Sequence, residues 1–331
     1  GLNPFLTTWL GALRYSRADP TPGSSMTFAK KALCFGILGS MAAGLAASAQ
    51  ATLNGAGASF PAPFYQSAFA SLAGQGTKVN YQSVGSGAGI RQFLKGTVDF
   101  AATDEPIKAS DAAKVKRGVV QFPTVGGTIA IAFNKADCAD LKLTQQQLVD
   151  VFLGKIKTWD ALKCGKGPIT IVHRSDGSGT TFAFTNSLSA FSPAWNLGAE
   201  KSVKWPVGVG GKGNEGVAGI LTNTPGSMGY VNQAFVKGNL KAAAIQNRSG
   251  AFVKPNLKSG IAALSNIKLD GNLAGEEPNP AGAASYPIST LTWILAYDNG
   301  NGPKAGAVRK ALLYLLSPPP KIVPTIWDTF P

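Results

Sequence analysis

The chain has 331 residues, 44% of them hydrophobic and 15% charged, with 40 glycines and 21 prolines. It is long enough for two compact lobes with separate cores, and its composition excludes a largely disordered chain. The formal charge is +14; residues 1–51 carry +3 of it, as Arg14, Arg17, Lys30 and Lys31 against Asp19, which leaves about +11. The remaining basic residues are scattered singly and in pairs, without the runs of about five or more that mark a nucleic-acid-binding tail. An anionic solute, an anionic cell surface or a plain basic surface stay open.

In chain order, Met26 is followed by Lys30 and Lys31, an apolar run from Ala32 to Ala47, and the small residues Ala47-Ser48-Ala49 and Ala49-Gln50-Ala51. That is the pattern of a secretory signal peptide cut near Ala49 or Ala51. Gly36, Gly39, Ser40 and Gly44 interrupt the run, which speaks against a membrane anchor. Lys31 stands where a lipoprotein signal at Cys34 would need an apolar residue. Residues 1–25 precede the natural start and are expected to be untranslated or vector-derived. Export leaves Cys138 and Cys164 as a pair in an oxidising compartment, which reads as a disulfide. With one distant His173, the chain lacks the ligands of a zinc site, so neither a metal nor a cofactor is expected.

Thr52 to Gly57 predicts a first strand, Pro61 to Leu72 a helix, and Lys78 to Val84 a strand with Val79 and Tyr81 on one face. The turn Gly85-Ser86-Gly87-Ala88-Gly89 feeds a short helix through Leu94, and Val98 to Ala102 is a buried strand ending at Thr103-Asp104. Such alternation predicts an α/β fold on mainly parallel sheets flanked by helices. Val119 to Asn134 is extended and broken at Gly126-Gly127, where the chain is expected to cross between lobes. Thr144 caps a helix through Leu153, Pro168 to Arg174 is a strand, and Ser178 to Leu188 a helix. Asn214 to Thr222 is a helix, Ser227 to Val231 a strand, and residues 250–287 are loop-rich. Ile288 to Tyr297 is a strongly apolar strand and Lys304 to Leu316 a helix. A return crossing near residue 286 makes residues 52–126 with 286–331 the first lobe and 127–285 the second.

Three small-residue turns each follow a strand and open a helix: Ala58-Ser59-Phe60, Gly85-Ser86-Gly87 and Asp176-Gly177-Ser178-Gly179-Thr180. Helix N-termini present unpaired N–H groups and positive dipole ends, and Ser or Thr adds hydroxyl donors, so together they can hold a tetrahedral oxyanion. Arg174 offers a planar fork for two oxygens, which Asp176 could orient; on spacing alone it reads equally as a strand-end surface charge. Asp104 beside an anion is repulsive unless the anion carries a proton, because an ionised carboxylate only accepts. Phosphate near neutral pH has that proton and sulfate does not. Taken out of this context, Asp104 would simply cap the turn at Pro106.

Five segments carry a resemblance. Residues 55–63 (GAGASFPAP), 98–104 (VDFAATD), 121–124 (QFPT), 174–180 (RSDGSGT) and 210–216 (GGKGNEG) make the chain similar to the periplasmic phosphate-binding proteins of high-affinity phosphate ABC transporters, from about Leu53 to about Leu316. The resemblance implies a two-lobed type II periplasmic-binding-protein (Venus-flytrap) architecture, a monomer, and delivery of phosphate, or arsenate, to an inner-membrane ABC permease. Carried over, it implies that Ser59 and Phe60 (backbone N–H, with the Ser hydroxyl), Ser86, Asp104, Arg174, Ser178, Gly179 and Thr180 bind the anion. The family usually has Thr where this chain has Ser59. After Leu316 the chain reads Ser317-Pro318-Pro319-Pro320-Lys321 and departs from its relatives, as a truncation or frameshift would.

Rival readings stand beside this one. A hydrolase lacks a Gly-x-Ser-x-Gly elbow and would rest on His173 alone, and a metal-dependent phosphatase lacks clustered ligands. Gly210-Gly211-Lys212-Gly213 resembles a phosphate loop, but Pro206 replaces the first glycine and no Ser or Thr follows Lys212; it is expected to start a helix facing the cleft or the other lobe. A sulfate or molybdate receptor is opposed by Asp104. An adhesive surface or matrix protein of this fold, with the charge near +11 mediating adhesion, would need only the same sequence and a different context.

Overall fold

The computed structural model describes residues 52–316. The leader read at 26–51, the upstream residues 1–25 and the tail beyond Leu316 lie outside these described residues.

Strand β1 (Thr52–Gly57) is followed by helix α1 (Ala62–Ala73), β2 (Lys78–Ser83), α2 (Ser86–Lys95), β3 (Phe100–Thr103) and the single turn α3 (Ala109–Ala112). The long β4 (Val119–Asn134) leads to β5 (Lys142–Leu143), α4 (Gln145–Phe152), β6 (Thr170–Arg174) and α5 (Gly179–Phe191). Then come β7 (Val209–Gly211), α6 (Gly213–Asn223), β8 (Ser227–Asn232), β9 (Lys241–Ala242), β10 (Ala244–Gln246) and β11 (Phe252–Val253). Helix α7 (Leu257–Leu264), β12 (Ser289–Tyr297) and α8 (Ala305–Leu316) close the described chain.

The main sheet runs β2-β1-β3-β12-β4-β8-β6-β7, with β9 also on β4. Its outer pairs are parallel, β1 with β2 and β3, and β6 with β7 and β8. The antiparallel pairs are those made by β12 and β4 in the middle. Strand β4 joins two halves: its residues through Thr128 pair with β12, and Ile129 to Asn134 pair with β8. The expected break at Gly126-Gly127 is therefore a change of partner inside one unbroken strand. Gly126 leaves room for packing, since a Cβ there would lie 2.7 Å from Leu264 Cδ1 and 2.9 Å from Leu291 Cδ2, and those side chains would have to shift.

Each half has its own apolar clusters. In the first, α1 buries Tyr65, Ala68, Phe69 and Leu72 at helical spacing, against Leu53, Phe100, Ile294 and the α8 residues Val308, Leu312 and Leu315. In the second, Trp159, Phe152, Phe184 and Tyr230 centre a larger cluster that also takes in the Phe60 ring from the first half. Thr144 caps α4 in a reciprocal box with Gln147, a motif worth about 1 kcal/mol. Cys138 and Cys164 form the expected disulfide, with Cα atoms 4.9 Å apart. The region expected to be loop-rich nonetheless holds β11 and α7. That helix is short, and its signal was the capping pair Asn256 and Ser259 rather than a long apolar period.

Candidate functional site

The three turns singled out in the sequence lie at the C-terminal ends of β1, β2 and β6, and converge beside the end of β3. Ser59 and Phe60 lie between β1 and α1, Ser86 opens α2, Asp104 follows β3, Arg174 ends β6, and Ser178, Gly179 and Thr180 begin α5. All but Gly179 and Phe60 are polar, and Ser59, Ser86, Asp104, Arg174, Ser178 and Thr180 are all buried, none above 4% exposed. That concentration of polar groups in a protein interior demands internal partners or a ligand.

Gly179 is a point of close approach between the two halves. A Cβ there would sit 2.6 Å from Asp104 Cβ and 2.7 Å from the Asp104 nitrogen. Its N–H donates to Ser86 Oγ at 3.1 Å, and the Asp104 N–H donates to the same oxygen at 3.2 Å. Alongside, the Gly87 N–H donates to the Gly177 carbonyl at 2.9 Å. Ser178 caps α5 by accepting the Thr181 N–H at 2.9 Å.

Arg174 is held flat by its neighbour. Nε and Nη2 donate to the two Asp176 carboxylate oxygens at 2.7 and 2.6 Å. Two of the five guanidinium protons are thereby used, and the Nη1/Nη2 edge keeps a fork for a second oxyanion. Burial works against the charge of Asp176, but Arg174 and the Gly213 N–H outweigh it and hold its carboxyl below the usual range. The strand-end surface reading of Arg174 is thus replaced by a buried, oriented cation.

The hydroxyls have a common electronic state. Ser86 Oγ accepts two N–H groups, as above. Ser59 Oγ accepts the Asn214 N–H at 2.9 Å and the Asn214 side-chain amide at 2.8 Å. Thr180 Oγ1 accepts from Asn214 Nδ2 at 3.1 Å and, at a long 3.4 Å, from Arg174 Nη1. A hydroxyl has two lone pairs and one proton, so each of the three can now only donate. With the guanidinium edge, the cradle is a set of donors.

Asp104 is the exception. Its Oδ1 accepts from Thr292 Oγ1 at 2.6 Å and Oδ2 from Thr180 Oγ1 at 3.5 Å. Burial pushes its pKa up to about 7, against the opposing pull of the Thr292 hydrogen bond, Arg174 and Thr180. The arrangement can receive an anion that accepts many hydrogen bonds and donates one.

Two residues at this site were not singled out from the sequence. Thr292 lies fully buried in β12, read only as an apolar strand, where a Thr between Leu291 and Trp293 was the signal the sequence offered. Asn214 lies in the glycine-rich segment 210–216, where β7 and the first turn of α6 form and no phosphate loop is built. His173 stacks on Trp205 with ring centroids 5.1 Å apart, a packing role. Among the described residues no group of His, Cys, Asp and Glu could hold a metal ion.

This fold and this cradle are those of a periplasmic-binding-protein module, and residues 44–319 match the family model described as a PBP superfamily domain. Among curated proteins, the phosphate-binding protein PstS of Pasteurella multocida is 42% identical over 292 residues, covering 83% of this chain and 84% of the relative. That of Haemophilus influenzae is 42% identical over 271 residues, covering 76% and 80%. The chain belongs to the PstS family of phosphate-binding proteins. Among solved structures, the periplasmic phosphate-binding protein PfluDING superposes with a TM-score of 0.70 at 24% identity, covering 80% of this chain and 86% of that one. A phosphate-binding protein from Stenotrophomonas maltophilia gives 0.67 at 22%, covering 81% and 84%. At those identities the likeness is one of fold.

Proposed function

We propose that this protein captures inorganic phosphate between the two halves of its sheet and delivers it to an ABC-type membrane permease, as a receptor rather than an enzyme. The observation that carries the reading is the buried cradle of donor-only hydroxyls and one guanidinium edge around a single carboxylate acceptor, Asp104. Ser59, Phe60, Ser86 and Asp104 supply it from residues 52–126, and Arg174, Ser178, Gly179 and Thr180 from residues 127–285. Neither set satisfies a tetrahedral anion by itself, so the two segments act as lobes that close on it, and binding favours the closed form by its contacts there. The name shared by the relatives supports phosphate as the anion, and the leader-like segment before residue 52 supports export.

A phosphate keeps one proton near neutral pH and can donate it to Asp104 while its other oxygens accept. A sulfate would place a bare oxygen against that carboxylate, two negative acceptors with no proton between them. Isothermal titration of the protein with phosphate and then sulfate at pH 8, above the pKa of Asp104, tests this. Phosphate is expected to bind at least about a hundredfold more tightly, a difference of about 2.7 kcal/mol. Equal affinities for the two anions would sink the reading.

A further inference from the structure

Asn214 is fully buried, in the first turn of α6, and it touches both halves of the site. Its Oδ1 accepts the backbone N–H of Asn232 at the end of β8, at 2.8 Å. That bond sets the orientation of the side-chain amide. The carbonyl end must face a backbone donor, so the amino end must face the two hydroxyls, Ser59 Oγ at 2.8 Å and Thr180 Oγ1 at 3.1 Å. One amino proton goes to each.

The consequences for the hydroxyls differ in degree. Ser59 has both lone pairs filled by Asn214 alone, once by the backbone N–H and once by the amide. Its proton is therefore directed away from Asn214 as a donor. Thr180 has one lone pair filled at good distance by Asn214 and the other only weakly by Arg174. Ser59 belongs to the β1–α1 turn and Thr180 to α5, so the amide joins hydroxyls that lie on opposite halves of the sheet. The Asn232 side chain adds a parallel link, donating to the Phe60 carbonyl at 2.6 Å.

We propose that Asn214 is a positioning residue for anion capture: it polarises Ser59 and Thr180 into donors directed away from its own amide, Thr180 on the Asp104 side, and couples them across the cleft. This rests on the phosphate reading above. It acts through the two hydroxyls, and its amide is too fully engaged to be a ligand itself.

The decisive variant is Asn214→Asp, which has the same shape and keeps Oδ1 for Asn232 but turns the amino group into an acceptor. Ser59 and Thr180 would then donate to the new carboxylate instead of outward, beside an added negative charge. Titration with inorganic phosphate should show at least about a hundredfold loss, with a melting transition still cooperative and the far-ultraviolet dichroism unchanged. A cycle separates positioning from general packing. Asn214→Ala and Ser59→Ala should each weaken phosphate binding on the order of tenfold or more, and the pair together little more than the worse of the two. Wild-type protein that fails to bind phosphate would overturn the functional reading and this inference with it. Wild-type binding with an Asn214→Asp affinity within about threefold, or with losses that multiply in the double variant, would overturn the positioning role alone. If Asn214→Ala does not fold, the isosteric Asn214→Asp decides.

Discussion

The buried cradle and the charged rim beside it join the same two halves of the molecule by opposite means. In the cradle, the polar groups are enclosed and the lone pairs of Ser59, Ser86 and Thr180 are taken up, so what remains for a ligand is donors. At the rim, Glu105, next to Asp104, takes an ion pair from Lys201 and another from Lys108 at 3.5 Å, and Lys108 reaches Glu200 at 3.8 Å. Lys108 and Glu200 are half exposed or more, so water and salt can replace what they give. Close by, burial and then the like charge of Glu105 push the Glu276 pKa up to about 7. Selectivity can therefore reside in the cradle and not at the rim. An enclosed donor cannot turn into an acceptor to suit a wrong ligand, whereas rim charges attract any anion-bound closed state alike.

The largest effect is expected at Arg174. Arg174→Met removes the cradle's one cation and leaves Asp176 and Asp104 without it, and is expected to cost about 2–5 kcal/mol of phosphate binding in calorimetry. Arg174→Lys keeps the charge but loses the two-point grip on Asp176 and the free edge, and should still weaken binding on the order of tenfold. Affinity unchanged by the lysine would mean that the charge alone matters and the fork does not.

A change of pH sharpens the comparison at Asp104. Because its pKa in the folded protein is raised to about 7 from an ordinary 3.8, the carboxyl is protonated below about pH 7 and becomes a donor. Its contribution to stability without ligand is greatest below pH 3.8 and is lost as pH rises through about 7. A sulfate ion, which can only accept, should therefore bind better as pH falls from 8 to 6, by about tenfold, while phosphate changes less. Asp104→Asn fixes the donor permanently, so its sulfate affinity should be flat over that range. A sulfate affinity in the wild type that is equally flat would show that Asp104 does not face the anion.

The rim should yield the smallest effect. Lys201→Met is expected to reduce phosphate affinity less than about fivefold, because Glu105 keeps its second ion pair with Lys108. It should also lessen the dependence of phosphate release on salt, followed by stopped-flow fluorescence of the tryptophans. A loss as large as that of Arg174→Lys would place Lys201 with the cradle, against the distinction drawn here.

Local signals were legible without the structure. The cap at Thr144, the cap at Ser178, the apolar period of α1 and the strand–turn–helix units around Ser59, Ser86 and Ser178 each act within a few residues, so neighbouring sequence suffices to reveal them. The same holds for the chemistry of Asp104, whose meaning follows from what a carboxylate can do beside an anion. Glycine pairs were less informative, since Gly126 reflects the nearness of Leu264, which no adjacent residue announces.

What only the tertiary structure decided is which groups face one another over long stretches of chain. Asn214 is 155 positions from Ser59, and Thr292 is 188 positions from Asp104. Each is an ordinary polar residue in its own segment, Asn in a helix start and Thr in an apolar strand. The amino-acid sequence by itself determined an α/β chain, a disulfide pair, the kinds of donor at three helix N-termini and one carboxylate suited to a protonated oxyanion. The direction in which each hydroxyl can donate depends on partners brought in by the crossing of β4 and the return of β12. Hydrogen-bond capacity is used up by whatever lies nearest in space, and that is fixed only when the sheet is assembled.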